Sequence, residues 1–376
     1  MIDAVEAKYL ISLNQIEGMD QKYITVLMDS FSSAEAAWRK ESRWRKLLPL
    51  SAGRVESLLA AKKNVNPEKL WAYAQKLGVK IASVKDDDYP DVFREIYDVP
   101  YFIYYLGTLP AQNAFAFTVV GSRKCSQEGS SIAKLIVKRL VECGHATIVG
   151  GLAEGIDSAA HWAALNAGGE TVAVLGCGID VIYPTSNTKL YMKIKEKGCI
   201  LTDYSFGAAA LKHHFPRRNR LMSALGKGVV VIEGTRGSGV FHTVAHGLDQ
   251  GKEIYAVPGS ILESKSYASN FLLREGTAKL ITCADDILED FMELEQRQEI
   301  VTTDMMDFSR YLPAERSALE ALKEGPMPFD MIERISGLPS SKLAALLTQW
   351  ELEEIVSQRP GRVFALCNRV QEVSHE

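Results

Sequence analysis

Short apolar runs alternate with amphipathic stretches through the middle of the chain. The runs, rich in β-branched residues, lie at 116–120, 146–149, 171–175, 199–202, 228–232 and 254–257. The stretches between them place apolar residues at helical spacing, and in 127–143 these residues are Ile132, Leu135, Ile136 and Leu140. Strands that are apolar on both faces and alternate with helices are typical of a parallel sheet covered on both sides. The pattern predicts an α/β domain at 76–292, with an extended Rossmann-like, doubly wound parallel sheet.

A different pattern precedes this domain. Residues 1–75 show helical spacing, as in Val26, Leu27 and Phe31, with a turn at Gly18. The segment IEGMD is similar to the turn of a helix-hairpin-helix, which aims backbone amides at phosphate, but the second glycine of that turn is absent. The chain therefore begins with a small helical domain of the SAM or helix-hairpin-helix type. The missing glycine favours a small helical interaction module over a true helix-hairpin-helix.

The end of the chain predicts a third domain. A charged stretch makes 293–310 a linker, and three short helices follow it in ERSALEAL, FDMIERIS and SSKLAALLTQW. Two strands around a Pro-Gly turn in EIVSQRPGRVFAL complete a winged-helix domain at 311–376. Its recognition helix, Ser340 to Trp350, carries Lys342 as its one cation, whereas duplex reading needs several phosphate and base contacts. We expect this domain to contact protein.

Composition narrows the function classes. With 376 residues and a formal net charge of −4, the protein has no overall attraction for nucleic acid, so any such binding needs a local patch. The apolar runs are shorter than the ~20 residues of a membrane helix, and the N-terminus lacks the features of a secretory leader. We expect a cytoplasmic protein with no membrane contact. Six cysteines form no C-x-x-C pair, and the sequence predicts neither a metal nor a cofactor.

A local patch of that kind is present in KHHFPRRNRLMSALGK, Lys212 to Lys227. The stretch lies within an acid-free window, 204–232, and its cations are Lys212, Arg217, Arg218, Arg220 and Lys227. They surround an aromatic residue, Phe215, and precede a helix that we expect to start near Asn219. Arginines at a helix N-terminus suit phosphate, and cations beside a ring match single-stranded nucleic acid. The stretch predicts an exposed basic loop that binds such a strand.

Two further loops are predicted at the ligand-binding edge of the sheet, beyond the carboxyl ends of its strands. The first predicted strand of the domain runs directly into Gly121, Ser122 and Arg123, with Ser126 placed to cap the next helix. The fifth leads into EGTRGSG, where Arg236, Gly237 and Ser238 can form an anion-binding nest. A G-x-G-x-x-G fingerprint is missing, which disfavours a dinucleotide site.

Catalytic chemistry has little support in the sequence. Glu233 follows a buried strand and is predicted to be structural, Asp157 is predicted to cap a helix, and His161 is predicted to be a packing residue. Paired carboxylates, a Cys/His cluster and a Walker lysine are all absent from the sequence. We expect no catalytic residue and no enzymatic activity.

Taken in order, the motifs VGSRKCS, GGLAEGIDSAAH, TVAVLGCGIDVIYP, FPRRNRLMSAL, VVVIEGTRGSG and IYAVPGSI resemble the DNA-processing protein A family, DprA or Smf. The resemblance implies a single-stranded DNA-binding recombination mediator of natural transformation. Such a protein protects incoming strands, loads the RecA recombinase in place of single-strand-binding protein, and acts as a homodimer. It also implies a DNA pocket made of Gly121, Ser122, Arg123, Lys212, Phe215, Arg217, Arg218 and Asn219. The charge pattern adds Arg220, Lys227, Arg236, Gly237 and Ser238.

Two other functions stay open at this point. One is an enzyme similar to the nucleoside-monophosphate phosphoribohydrolases, which use a glycine-rich loop followed by a catalytic glutamate. The loop GTRGSGVFHT has no carboxylate after its glycines. The other is a protein-interaction scaffold, in which the basic loop contacts an acidic partner. Affinity for short oligonucleotides separates the scaffold from a DNA-binding protein.

Overall fold

Helices dominate the first part of the chain in the computed structural model, which describes residues 2–291, 308, 311–323, 325–352, 355–359 and 361–366. The helices before the sheet are α1 (Ala4–Asn14), α2 (Gln21–Ser30), α3 (Ala34–Arg39), α4 (Trp44–Leu47), α5 (Ala52–Lys62) and α6 (Pro67–Leu77). Gly18 lies between α1 and α2 with a φ of 86°, a left-handed conformation that favours glycine. The turn predicted there is confirmed.

Strands and helices alternate after α6. The strands are β1 (Lys80–Ser83), β2 (Phe102–Gly107), β3 (Ala116–Val120), β4 (Thr147–Gly150), β5 (Thr171–Val174), β6 (Cys199–Thr202), β7 (Gly228–Val231), β8 (Glu253–Ala256) and β9 (Lys279–Leu280). The helices are α7 (Gln127–Gly144), α8 (Ile156–Asn166), α9 (Thr188–Lys197), α10 (His214–Leu225), α11 (Val240–Asp249) and α12 (Tyr267–Arg274).

The strands join in one sheet in the order β1-β2-β6-β5-β4-β3-β7-β8-β9. Strands from β6 to β9 in this order are parallel, while β2 pairs antiparallel with both β1 and β6. The chain places β4, β5 and β6 on one side of β3 and then β7, β8 and β9 on the other. The predicted doubly wound sheet is confirmed. The side on which the chain adds strands switches at β3, and a ligand-binding crevice opens at such a switch point.

The two faces of the sheet belong to different cores. Alternate side chains of β2 show this, because Phe102 and Tyr104 pack with the N-terminal helices, while Ile103 and Tyr105 pack on the face covered by α10 and α11. One compact unit, Met1–Asp290, therefore holds both the N-terminal helices and the sheet. Among the described residues, no helix is both long and apolar enough to span a bilayer.

A second unit begins at Phe291. Its helices are α13 (Pro313–Lys323), α14 (Phe329–Ser336) and α15 (Ser340–Leu352), and its strands are β10 (Met327–Pro328), β11 (Val356–Arg359) and β12 (Val363–Leu366). The strands form a sheet in the order β10-β12-β11, and Leu319, Ile332, Leu343 and Trp350 fill the core. The predicted winged helix is confirmed, with β10 added to the expected hairpin. The linker predicted at 293–310 lies outside the described residues, except for Phe308.

Candidate nucleic-acid interface

The loops that leave the carboxyl ends of β3, β4, β5 and β7 lie side by side, because these strands are neighbours in the sheet. Two glycines allow the first two loops to approach closely. A Cβ on Gly121 would lie 2.5 Å from the Cγ1 of Ile156, and one on Gly155, which has a φ of 81°, would lie 2.2 Å from the carbonyl oxygen of Ser122. Side chains at these positions would separate the loops, so the two glycines are needed for the close contact between the loops after β3 and β4.

The basic stretch forms a helix, and not the loop that the sequence predicts. Helix α10 begins at His214, so Pro216 falls in its first turn, where an amide has no helical partner to lose. The helix start predicted near Asn219 is wrong, since Asn219 lies in the second turn and is buried. Because the helix is continuous, the basic residues of the stretch point in different directions and lie in different surroundings.

Phe215 lies at the centre of the exposed part of the site. Its half-buried ring is 5.7 Å from the ring of Tyr183, measured between centroids, and the guanidinium carbon of Arg123 lies 4.8 Å from its centroid. Gly176 leaves room for the ring, because a Cβ there would lie 3.0 Å from Cδ1 of Phe215. Both Arg123 and Tyr183 are exposed. We call this cation and the two rings the Phe215 platform.

Tyr183 was missed by the sequence analysis. It follows β5 in the segment GCGIDVIYP, where no chemistry is evident from residue types alone. Its position could have indicated a role, because it is an aromatic residue that follows the carboxyl end of β5, a strand adjacent to β4.

Arg218 is next to the platform but is only 4% exposed. Its guanidinium donates to the carbonyl oxygens of Gly151, at 3.0 Å, and of Val174. Burial lowers its pKa to about 10, and the nearby Asp157 carboxylate partly opposes that shift. Arg218 thus joins α10 to the ends of β4 and β5, and its charge is directed into the protein.

Asp157 completes this buried network. Its carboxylate accepts hydrogen bonds from the amides of Gly151, at 2.9 Å, and Ala153, at 3.4 Å. Burial raises the pKa of Asp157, while Arg218 and the two amides oppose the rise. The predicted helix cap is wrong in detail, because Gly155 occupies the N-cap position of α8 and Asp157 bonds the preceding loop. Its role is structural, which agrees with the sequence argument against catalysis.

The other two arginines of the stretch face a group of carboxylates. Arg217 donates to Asp20 at 2.7 Å, and Arg220, which is buried, donates to Asp203 at 2.7 Å. Asp98 lies within 3.5 Å of both guanidinium groups. We call these five side chains the Arg217 cluster. The charges of both arginines are thus paired within the protein.

The two lysines of the stretch lie at different edges of the sheet. Lys212 is exposed just before α10, whose first residue, His214, places its Nδ1 3.2 Å from the carbonyl oxygen of Gly176 at the carboxyl edge. Lys227 is exposed directly before β7, and its amide bonds the carbonyl oxygen of Ala116 at the start of β3. It is therefore at the amino edge of the sheet. The structure does not bring Lys227 together with the other predicted site residues.

The loop after β7 returns to the carboxyl edge. Glu233 accepts from the amide of Ser126 at 3.0 Å and from its hydroxyl at 2.6 Å, while the Ser126 oxygen accepts from the amide of Gly129. The predicted cap at Ser126 and the structural role of Glu233 are confirmed. Arg236 and Gly237 are exposed and Ser238 is half-buried; the guanidinium carbon of Arg236 lies 5.8 Å from the ring centroid of Tyr267.

The exposed cations of this edge form no salt bridge with a carboxylate that the structure describes, although Arg123 interacts at longer range with the buried Asp157. None of the carboxylates in the described ranges comes within ion-pairing distance of Arg123, Lys212 or Arg236. In the same part of the chain, no group of three His, Cys, Asp or Glu side chains could hold a metal ion. The edge combines unpaired cations with accessible rings, which suits a phosphate chain that carries stackable bases.

Known proteins are similar to this chain in both of its units. The sequence model described as DNA recombination-mediator protein A matches residues 80–292, and the one described as DprA winged helix domain matches residues 312–362. The DNA processing protein DprA of Streptococcus pneumoniae is 42% identical over 209 residues, which are 56% of this chain and 73% of that protein.

Solved structures give the same match. An X-ray structure of DprA from Streptococcus pneumoniae superposes with a TM-score of 0.65 at 32% identity, covering 75% of this chain and 97% of that one. A structure of DNA processing protein A from Helicobacter pylori, described for its single-stranded DNA binding mode, superposes with a TM-score of 0.50 at 25% identity. It covers 57% of this chain and 96% of that one.

Proposed function

The chain belongs to the DNA recombination-mediator protein A family, and on that premise we propose that it binds single-stranded DNA and hands the strand to a recombinase. The observation that supports this most directly is the Phe215 platform, an exposed arginine over a half-buried ring beside unpaired cations. Stacking on rings accepts any base, and the cations track phosphate. The protein therefore binds single strands with little sequence preference.

Within this proposal the site residues have different tasks. Arg123, Lys212 and Arg236 bind phosphates, Phe215 stacks a base beside Tyr183, and backbone amides near Gly121, Ser122, Gly237 and Ser238 approach the strand. Arg218, Asn219 and Arg220 are buried and position α10. Lys227 is at the opposite edge of the sheet and takes no part.

The finer biological role follows the same proposal. The protein protects incoming strands in natural transformation and loads RecA onto them while single-strand-binding protein is displaced. It acts as a homodimer in the cytoplasm, without a catalytic step. We divide it into a helical domain at 1–75, a DNA-binding domain at 76–292, a linker at 293–310 and a winged helix at 311–376. The winged helix contacts protein, because the exposed side chains of α15 include one cation, Lys342.

An enzymatic alternative has no supporting observation. The carboxylate nearest the glycine-rich loop, Glu233, is buried and holds the amide and hydroxyl of Ser126. Both carboxylate oxygens of Glu233 accept hydrogen bonds from the N-cap residue of α7, which is a structural role.

The test compares a single-stranded oligonucleotide with its duplex by fluorescence anisotropy over a range of salt concentrations. We expect tighter binding to the single strand, with a log–log salt slope of about −0.7 for each phosphate neutralised. In a second readout, the protein should accelerate RecA assembly on a strand coated with single-strand-binding protein. Affinity that stays constant with salt, or a preference for duplex, contradicts the proposal.

A further inference from the structure

The turn between α1 and α2 is fixed to the DNA-binding part of the molecule by side-chain hydrogen bonds. Gln15 donates to the carbonyl oxygen of Phe206 at 3.1 Å, and the buried Gln21 amide donates to the carbonyl oxygens of Phe102, at 3.2 Å, and Asp203, at 3.3 Å. The turn that resembles a helix-hairpin-helix is thus docked on the protein's own sheet. These bonds fix its position on the sheet.

Asp20, in this turn, is directed away from its own helix. It occupies the N-cap position of α2, where an aspartate normally accepts from the first amides, yet its carboxylate makes no such bond. Asp3, at the N-cap of α1, shows the usual arrangement and accepts from the amides of Val5 and Glu6 at 2.8 Å. The Asp20 carboxylate instead accepts from Arg217 at 2.7 Å. Asp20 therefore contacts α10 and does not cap α2.

This contact leaves the Arg217 cluster with an excess of negative charge. Two guanidinium groups, from Arg217 and Arg220, face three carboxylates, from Asp20, Asp98 and Asp203. The side chain of Arg217 is still 29% exposed, and its Nε has no hydrogen-bond partner among the described atoms. The cluster therefore contains a partly accessible cation that is already neutralised.

Arg217 is also close to the place where the strand is proposed to lie. It follows Phe215 by two positions at the N-terminal end of α10, about 3 Å further along the helix axis and about 200° around it, so the two side chains leave different sides of that end. A strand that continues from a base stacked on Phe215 across the N-terminal end of α10 would bring a phosphate to Arg217 and Asp20 together. The first attracts it and the second repels it.

We propose that Asp20 is an internal counter-anion that competes with a DNA phosphate for Arg217. The N-terminal helices thereby weaken the grip of the interface on a strand, a property that suits a protein that must release DNA. This regulation rests on the proposed single-stranded DNA binding. The phosphodiester group is the competing ligand, and Asp98 shares the same guanidinium as the second anion.

The experiment measures single-strand affinity and its salt dependence for the full-length protein carrying Asp20→Asn. Asp3→Asn is the matched control, because it removes the same charge from another N-cap in the same helical region. Removing one unit charge about 4 Å from a phosphate should tighten binding roughly three- to tenfold. The log–log salt slope should become steeper by up to about 0.7, since Arg217 then neutralises a phosphate. Asp3→Asn should leave both unchanged.

A double variant shows whether the effect passes through Arg217. In an Arg217→Ala background, Asp20→Asn should lose most of its gain, and thermal melts identify any variant that fails to fold. Asp20→Ser, which lacks the charge but can cap α2, should tighten binding as Asp20→Asn does. Weaker or unchanged binding in Asp20→Asn, or an equal gain without Arg217, overturns the inference. If the unaltered protein binds no single strand, the proposed function itself fails, so the two failures are distinguishable.

Discussion

The arginine side chains of this interface lie in different surroundings, even where they are adjacent in the sequence. Arg217 pairs with carboxylates, Arg218 is buried among carbonyl oxygens, and Arg123, far away in the sequence, is exposed over Phe215. Residues i and i+1 of a helix do not share a face, so a run of positive charge cannot stay together once α10 forms. The sequence predicts that a basic site exists, but the share of its charge that reaches solvent depends on tertiary contacts.

The ring of Phe215 allows stacking to be measured separately from charge. Phe215→Ala should weaken single-strand binding by about 1–3 kcal/mol, the usual range for one stacked base. The salt slope should hardly change, because no cation is lost. Phe215→Leu keeps apolar volume without an aromatic face and should behave like the alanine variant. Oligonucleotide titrations and thermal melts check this, and a fall in melting temperature that accounts for the whole loss would assign Phe215 to the core.

Helix α8 is connected to the sheet through a buried histidine, His161. His161 is fully buried, and its Nδ1 lies 2.7 Å from the hydroxyl of Thr171, which itself donates to the carbonyl oxygen of Ile148. Nδ1 must therefore carry the hydrogen, and Nε2 is left unprotonated without a partner among the described atoms. Burial, reinforced by Arg218, lowers the pKa of His161 from 6.5 to about 3. The folded protein keeps this imidazole neutral.

A pH dependence follows from this burial. Between the two pKa values the unfolded chain binds a proton that the folded protein does not, so stability is lost as pH falls below 6.5 towards 3. The loss is about 1.4 kcal/mol for each pH unit. His161→Gln cannot gain that proton, and its free energy of unfolding should fall less between pH of about 7 and about 5. Denaturant titrations at both pH values test this, and parallel losses in the two proteins would show that His161 does not titrate.

The central strands of the sheet could be predicted, but β2 (Phe102–Gly107) was missed although its residues are apolar and buried. The buried strands from β3 to β8 are short apolar runs, and the sequence places each of them. The two-residue β9 is too short for a pattern. Helix α10 begins earlier than predicted. The prediction failed because Pro216 and the surrounding cations are typical of a loop, whereas the first turn of a helix also accepts proline.

At the scale of the whole molecule, the N-terminal helices and the sheet form one unit, because one face of the sheet shares its core with these helices. The sequence places a boundary near residue 75 but does not reveal the bonds from the α1–α2 turn to the sheet. Such bonds join residues far apart in the chain, as Gln21 and Asp203 are, and no local pattern indicates them. The family resemblance predicts the fold and the general function. The contact between the α1–α2 turn and the sheet is evident only from the three-dimensional structure.

The central claim is that the carboxyl edge of the sheet holds single-stranded DNA through Arg123 and its neighbours. The most direct measurement is the salt dependence of single-strand affinity for Arg123→Ala beside Lys227→Ala, which removes the same charge from the opposite edge. Arg123→Ala should weaken binding and reduce the log–log slope by about 0.7, the contribution of one phosphate contact to a single strand. Lys227→Ala should keep the affinity and slope of the unaltered protein. If Arg123→Ala keeps full affinity and slope, or if both variants lose the same amount, the strand does not lie at this edge.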